Sequence, residues 1–167
     1  MQIRNEIPAD AGAIEAVTIA AFEHAPHTDH TEHFIVRALR RAHALSVSLV
    51  AEDDGEIVGH VAISPVSISG GAAHWYGLGP ISVLPQRQGQ GVGTQLMQQA
   101  LAALRALGAE GCVVLGDPQY YARFGFTQQP ALTLPGVPQE YFQALAFGVT
   151  LPEGSVTYHS AFSATAE

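Results

Sequence analysis

The residues with the clearest chemical meaning form one short segment, Gln88-Gly89-Gln90-Gly91-Val92-Gly93-Thr94, set between an apolar run and an amphipathic stretch. Glycine recurs at 89, 91 and 93, and a helix is expected to begin at about residue 92. The first amides of a helix have no internal acceptor, and the aligned peptide dipoles add partial positive charge there. Glycines beside such amides leave room for a phosphate group to approach the main chain. The chemistry this suggests is the holding of a pyrophosphate by backbone. Two better-known phosphate signatures do not fit. A P-loop requires Gly-Lys-Ser/Thr, and the chain contains no lysine. A dinucleotide fingerprint requires Gly-x-Gly-x-x-Gly after a first strand, whereas Gly-x-Gly-x-Gly here follows a fourth. A tight turn that only starts a helix would use the same glycines.

Other reactive side chains carry weaker signals. His24, His27, His30 and His33 recur every three residues, but Pro26 interrupts any helix that would align them on a metal. They read as a solvated loop that could also rim a substrate mouth, and no metal is expected. His60 and His159 fall in expected strands and read as core or sheet-surface residues. Cys112 opens the apolar run Cys112-Val113-Val114-Leu115 and reads as packing, because nothing nearby would stabilise its thiolate.

The elements that must position these residues follow from patterning. The chain has 167 residues, which points to one domain spanning 1–167. Its net charge is −8, and all seven basic residues are arginine, a poor electrostatic footprint for nucleic acid or an anionic membrane. No apolar run approaches the roughly 20 residues of a transmembrane helix. One cysteine excludes an internal disulfide and makes the cytoplasm the expected compartment.

Strands are expected at Ile3–Ile7, Ser46–Ala51, Glu56–Ser64, His74–Leu84 and Gly111–Leu115, from Phe126, and within Gly154–Phe162. Asp54-Gly55 marks a hairpin between the second and third. Helices are expected from Ile14 to Phe22, from Thr31, over 92–107 and around Gln119–Phe124, the long one from the spacing of Val92, Leu96, Met97, Ala100, Leu101 and Leu104. Gly77, Gly79 and Pro80 inside the fourth strand mark a bulge or a close approach of another backbone or ligand. The result is a mixed α/β layer around one sheet.

Gln88-Gly89-Gln90-Gly91-Val92-Gly93 resembles the (Gln/Arg)-x-x-Gly-x-(Gly/Ala) signature of the GNAT superfamily of acyl-CoA-dependent N-acyltransferases. Tyr121-Ala122-Arg123-Phe124-Gly125-Phe126 is similar to that family's Tyr-x-x-x-Gly-Phe element, and the element order agrees to about residue 130. Leu78–Val83, Gly116–Tyr121, Glu140–Phe142 and Gly154–Phe162 resemble a narrower bacterial branch, the YhbS-like acetyltransferases.

The resemblance implies an α+β fold with a mostly antiparallel central sheet, flanked by helices and splayed between strands four and five. It implies acetyl-CoA as cosubstrate, with main-chain groups of Ile81, Ser82 and Val83 pairing with pantetheine. The pyrophosphate would lie on the amides of Gln88, Gly89, Gln90, Gly91, Val92, Gly93 and Thr94. Tyr121 matches the position of the general acid that protonates the departing thiolate. At an amine pKa of about 10.4 only about one acceptor in 2,500 is unprotonated at neutral pH, so a base or relay is useful. Glu32, Asp117, His74 and a water chain are the candidates for it. One departure from the family pattern is that Gly116-Asp117-Pro118 stands where an asparagine commonly contacts the cofactor. The acceptor is expected to be an amine-bearing small molecule, peptide or protein, and a homodimer is compatible with the pattern. Two other readings are open: a catalytically silent CoA-binding sensor or regulatory module that uses the same residues, and a subunit that binds another protein through Leu132–Leu151.

Overall fold

A computed structural model describes residues 1–26 and 28–166, so His27 lies outside the described residues. The first strand, β1 (Gln2–Asn5), stops two residues short of Ile7. Pro8–Asp10 turns there into a short 3-10 segment, and the Asp10 carboxylate accepts the Ile7 N–H at 2.8 Å. Two helices follow, α1 (Ala11–Phe22) and α2 (Glu32–Arg41). The hairpin of β2 (Val47–Asp53) and β3 (Glu56–Ile68) turns at Asp54-Gly55, with φ of 50° and 78°. Left-handed backbone at both positions matches the twist of the flanking strands.

β4 (Trp75–Val83) pairs antiparallel with β3 and leads to α3 (Val92–Ala106). β5 (Gly111–Leu115) then lies parallel to β4, as a helical crossover requires, and α4 (Pro118–Ala122) follows. The strand expected from Phe126 does not form. Thr127 makes only a single bridge, to Ala144 on the outer edge of β7 (Phe142–Ala146), which pairs with β5 on its other side. β6 (Leu132–Thr133) and β8 (Gly154–Tyr158) form a parallel pair, and β8 also pairs with the end of β3, extending that strand past Ser64 to Ile68.

The main sheet therefore runs β1-β2-β3-β4-β5-β7, antiparallel except at β4–β5. One face is covered by α3, whose fully buried Leu96, Met97, Ala100 and Leu104 pack on Val61, Ile63 and Val114. Each such large side chain contributes about 1.5–3 kcal/mol on leaving water. The other face carries α1 and α2, with Ile14, Val17 and Val36 over Val50 and Ile57. Leu132, Phe142 and Ala144 are buried in a further cluster around Trp75, so part of the 132–151 segment lies inside the fold. Among the described residues no helix is long and apolar enough to cross a membrane.

The sheet is open at one place. β4 and β5 pair only from Trp75/Gly111 to Leu78/Val114. Just beyond, between the pairs Val61–Ile81 and Ile63–Leu78, β3 uses one residue where β4 uses two, Gly79 and Pro80. That bulge bends β4 away from β5, and the two strands diverge.

Candidate active site

The glycine-rich turn sits at the mouth of this gap. Gly89 and Gly91 have φ of 76° and 86°. Each would strain a side-chain-bearing residue by roughly 1–2 kcal/mol. Gly91 is the N-cap of α3 and no side chain caps the helix. Its first intrahelical bond is Gln95 N–H to Gly91 C=O at 3.1 Å. The amides of Val92, Gly93 and Thr94 are therefore left as donors without a helical acceptor. Beside this helix start lies a cavity of about 570 Å³ bordered by Ile81, Val83, Gln88, Gly89, Gly91, Gly93 and Thr94. Arg87 and Arg123 are the charged side chains on its wall. Arg87 is paired with Asp53 at 2.7 Å and donates to Gln90 Oε1 at 3.1 Å. The mouth is thus a set of uncharged donors with two cations beside it, an arrangement suited to a polyanion.

The gap continues inward as a second cavity of about 460 Å³, between Leu78, Gly79, Pro80 and Ile81 on β4 and Leu115, the last residue of β5, with Gly116 and Asp117 just after it. Phe22, Ile81 and Tyr120 border both cavities, so the two are neighbours on one path. The ladder determines which main-chain groups look into it. Leu84 N–H bonds to Val58 C=O at 3.0 Å, and Ser82 stands opposite His60 in the same register. Alternation in an antiparallel pair then directs the Ser82 main chain to β3 and the Ile81 and Val83 main chains into the gap. In agreement, Val83 C=O accepts the Gln88 Nε2 amide at 3.1 Å.

Several residues singled out in the sequence stand apart from the cavities. Ser82 borders neither, and its hydroxyl is buried with no partner. Its neighbour across the strands, His60, is fully buried, with Nε2 2.8 Å from Ser48 Oγ and Nδ1 unpartnered. Burial lowers the His60 pKa and keeps the ring neutral, against the opposing pull of Glu6. Val92 points into the core, and the exposed Gln90 donates to Gln86 C=O at 3.2 Å. His74 lies at the start of β4, where its C=O accepts Glu110 N–H at 2.8 Å, far from the gap.

Tyr121 lines the inner cavity. Its ring lies against Gly116, where a Cβ would stand 2.7 Å from Cε2, and edge-on to Phe126 at 6.0 Å. Burial raises its phenol well above the ordinary value, so it stays protonated throughout the physiological range. Asp117 lines the same cavity, capping α4 by accepting Gln119 N–H at 2.9 Å. Glu32 lies in a third cavity of about 380 Å³ with His30 and His33, and Phe22 borders all three cavities. Phe22 was not legible as a site residue, since an aromatic residue at a helix end is ordinary core patterning. Among the described residues no three His, Cys, Asp or Glu side chains converge as metal ligands. Cys112 is buried, and burial pushes its thiol up, which leaves it inert as a nucleophile.

The profile of a family described as acetyltransferase (GNAT) domain matches residues 44–128, the stretch from β2 through the gap to Phe126. The uncharacterised N-acetyltransferase YhbS of Escherichia coli K12 is 41% identical over 127 residues, 75% of this chain and 73% of that protein. A crystal structure of a GNAT family acetyltransferase from Brucella melitensis in complex with acetyl-CoA is 52% identical, with a TM-score of 0.86 over 96% of this chain and 97% of that one. The structure of E. coli YhbS in complex with CoA is 36% identical, with a TM-score of 0.88 over 97% and 91% of the two chains. The split sheet, the glycine turn at its mouth and these likenesses agree: the chain belongs to the GNAT family of acetyltransferases.

Proposed function

We propose that residues 1–167 act as one catalytic domain that transfers an acetyl group from acetyl-CoA to an amine. The observation that carries this reading is the continuity of the gap with the cradle. The slot-facing main chains of Ile81 and Val83 lie on the same wall as the free amides of α3. A pantetheine arm has amides that suit such an incomplete ladder, and its pyrophosphate end suits the helix start. The binding set is thus Ile81, Val83, Gln88, Gly89, Gly91, Gly93 and Thr94 together with the free amide of Val92, whose side chain, like Ser82, holds the backbone from behind. Relatives bound to acetyl-CoA and CoA support the same occupant.

Acetyl-CoA supplies an activated thioester. The rest falls to the chain. Val83 C=O must exchange the Gln88 side chain for a pantetheine N–H, so Gln88 holds that acceptor ready and then yields it. Tyr121, in the inner cavity, donates a proton to the sulfur as the C–S bond breaks. A phenol is ordinarily a weaker acid than a thiol (pKa about 10 against about 8.5), and burial weakens Tyr121 further. The donation is therefore made to the sulfur in concert with C–S cleavage, and the phenolate left behind is reprotonated from solvent. Asp117, on the same wall, is placed to orient the incoming ammonium. The proton lost from the amine leaves by solvent at the open mouth.

The test is thiol release from acetyl-CoA across a panel of small amines, peptide N-termini and lysine peptides, with calorimetric CoA binding in parallel. Turnover with at least one class supports the transferase. Tight CoA binding with no turnover on any of them would replace it with a sensor.

A further inference from the structure

The two elements that flank the gap are tied together across its mouth. α3 leaves β4 on one side and α4 leaves β5 on the other. From α4, Tyr120 carries its hydroxyl to Gly93, where a Cβ would stand only 2.9 Å away. Just past the end of α4, Arg123 Nη2 donates to Thr94 Oγ1 at 3.0 Å. The Arg123 guanidinium also lies over the Tyr120 and Phe124 rings, at 5.3 and 5.4 Å. Tyr120 borders both cavities, and Arg123 borders the one with the free amides.

The two cations on that wall differ in what they already hold. Arg87 is neutralised by Asp53 at 2.7 Å. Arg123 rests on a neutral hydroxyl and two ring faces, and among the described residues no carboxylate stands within ion-pair distance of it. No carboxylate borders the cavity either. A chain of net charge −8 repels a polyanion at long range, so an uncommitted local cation has a large effect on binding.

We propose that Arg123 is the side chain that binds the cofactor's pyrophosphate, with Tyr120, wedged over Gly93, holding it in place. The inference rests on acetyl-CoA occupying the gap. Arg123 is bonded to the third residue of α3, in the turn whose amides are the other pyrophosphate donors. A guanidinium can keep the Thr94 contact through one nitrogen and offer the others to phosphate oxygens, a charge-assisted contact about twice as strong as a neutral one. This assigns Arg123 to the pyrophosphate and not to the ribose 3′-phosphate at the other end of the nucleotide.

Calorimetric titration of CoA and 3′-dephospho-CoA separates the cases. Arg123→Gln is expected to weaken both ligands by the same factor, on the order of tenfold. It should also flatten the salt dependence of binding, and Arg123→Lys should recover part of the loss. Arg105→Gln makes the same charge change on an arginine stacked on Phe147 near the far end of α3, and should bind like the wild type. Unchanged affinity in Arg123→Gln overturns the proposal. So does a loss seen with CoA but not with dephospho-CoA, which would move Arg123 to the 3′-phosphate. Wild-type protein that binds neither ligand removes the acetyl-CoA reading itself, and the Arg123 role with it.

Discussion

Gly93 and Tyr120 meet across the mouth of the gap, the glycine leaving room for a hydroxyl that would lie 2.9 Å from its Cβ. Gly89 and Gly91 are explained by left-handed backbone, but Gly93 is not: its φ is ordinary and its reason is Tyr120. Gly93→Ala should therefore leave stability within about 1 kcal/mol of wild type, the gain in helix propensity offsetting the displaced phenol. The KM for acetyl-CoA should rise about fivefold, roughly 1 kcal/mol of binding. Thermal unfolding together with steady-state kinetics checks both halves, and an unaltered KM would make the contact incidental.

Tyr121→Phe removes only an oxygen from a ring that packs against Gly116 and Phe126. The fold and CoA affinity should be retained, while kcat falls by about a hundredfold if the phenol is the proton donor. A leaving thiol of lower pKa needs less protonation, so an activated thioester analogue should recover part of the rate. Equal kcat in the variant would return Tyr121 to a packing role.

The Glu6–Ser48–His60 line makes stability depend on pH in a stated direction. Burial resists ionisation of Glu6, but the nearby His60 ring and hydrogen bonds from the Arg40 guanidinium and the Ser48 hydroxyl hold it below the usual carboxylate range. His60 is depressed too, by burial. Both groups bind fewer protons folded than unfolded, so each contributes stability that is lost on acidification. The His60 part begins to fall below about pH 6.5, and the Glu6 part below about 4.3. Urea unfolding at pH 7.5, 6.5 and 5.5 should show a decline, and His60→Gln should flatten it over this range. A pH-independent wild type would contradict the sign.

Trp75, the single tryptophan, lies over Gly111 on the neighbouring strand, where an added Cβ would stand 2.3 Å from Cη2. Both sit in the paired half of β4–β5, below the point of divergence. Gly111→Ala should cost about 1–3 kcal/mol by overpacking. The midpoint should fall by about 2–4 °C per kcal/mol for a chain of this size. Tryptophan fluorescence reports both the shift and the altered ring environment, and a wild-type midpoint would show that the ring moves freely.

Most elements up to Ala122 were legible because their signals are local. The Asp54-Gly55 turn, the 3.6-residue spacing of α3 and the unbroken apolar run of β5 each determine a conformation within a dozen residues. Beyond that only β8 was legible, and elsewhere the signal fails for a physical reason. Phe142–Ala146 has no alternation, and it is a strand because β5 offers it an open edge; the stretch from Phe126 meets the outer edge of that strand in one bridge only, Thr127 with Ala144. The same limit applied in the site. Gly79-Pro80 announced a bulge, but only the register with β3 decides that Ile81 and Val83, and not Ser82, turn their main chains into the gap.

The sequence alone determined the glycine turn and the helix start after it, because Gly89 and Gly91 are the residue type that accepts left-handed backbone, and a helix start beside them exposes its amides whatever surrounds it. It determined the family motif for the same reason. The tertiary structure alone decided that Gly93 serves Tyr120, that Arg123 reaches Thr94, and that Phe22 borders three cavities. Those relationships join residues that are distant in the chain and depend on how two helices approach across a split sheet. Residue type can permit such an approach, but only packing brings it about.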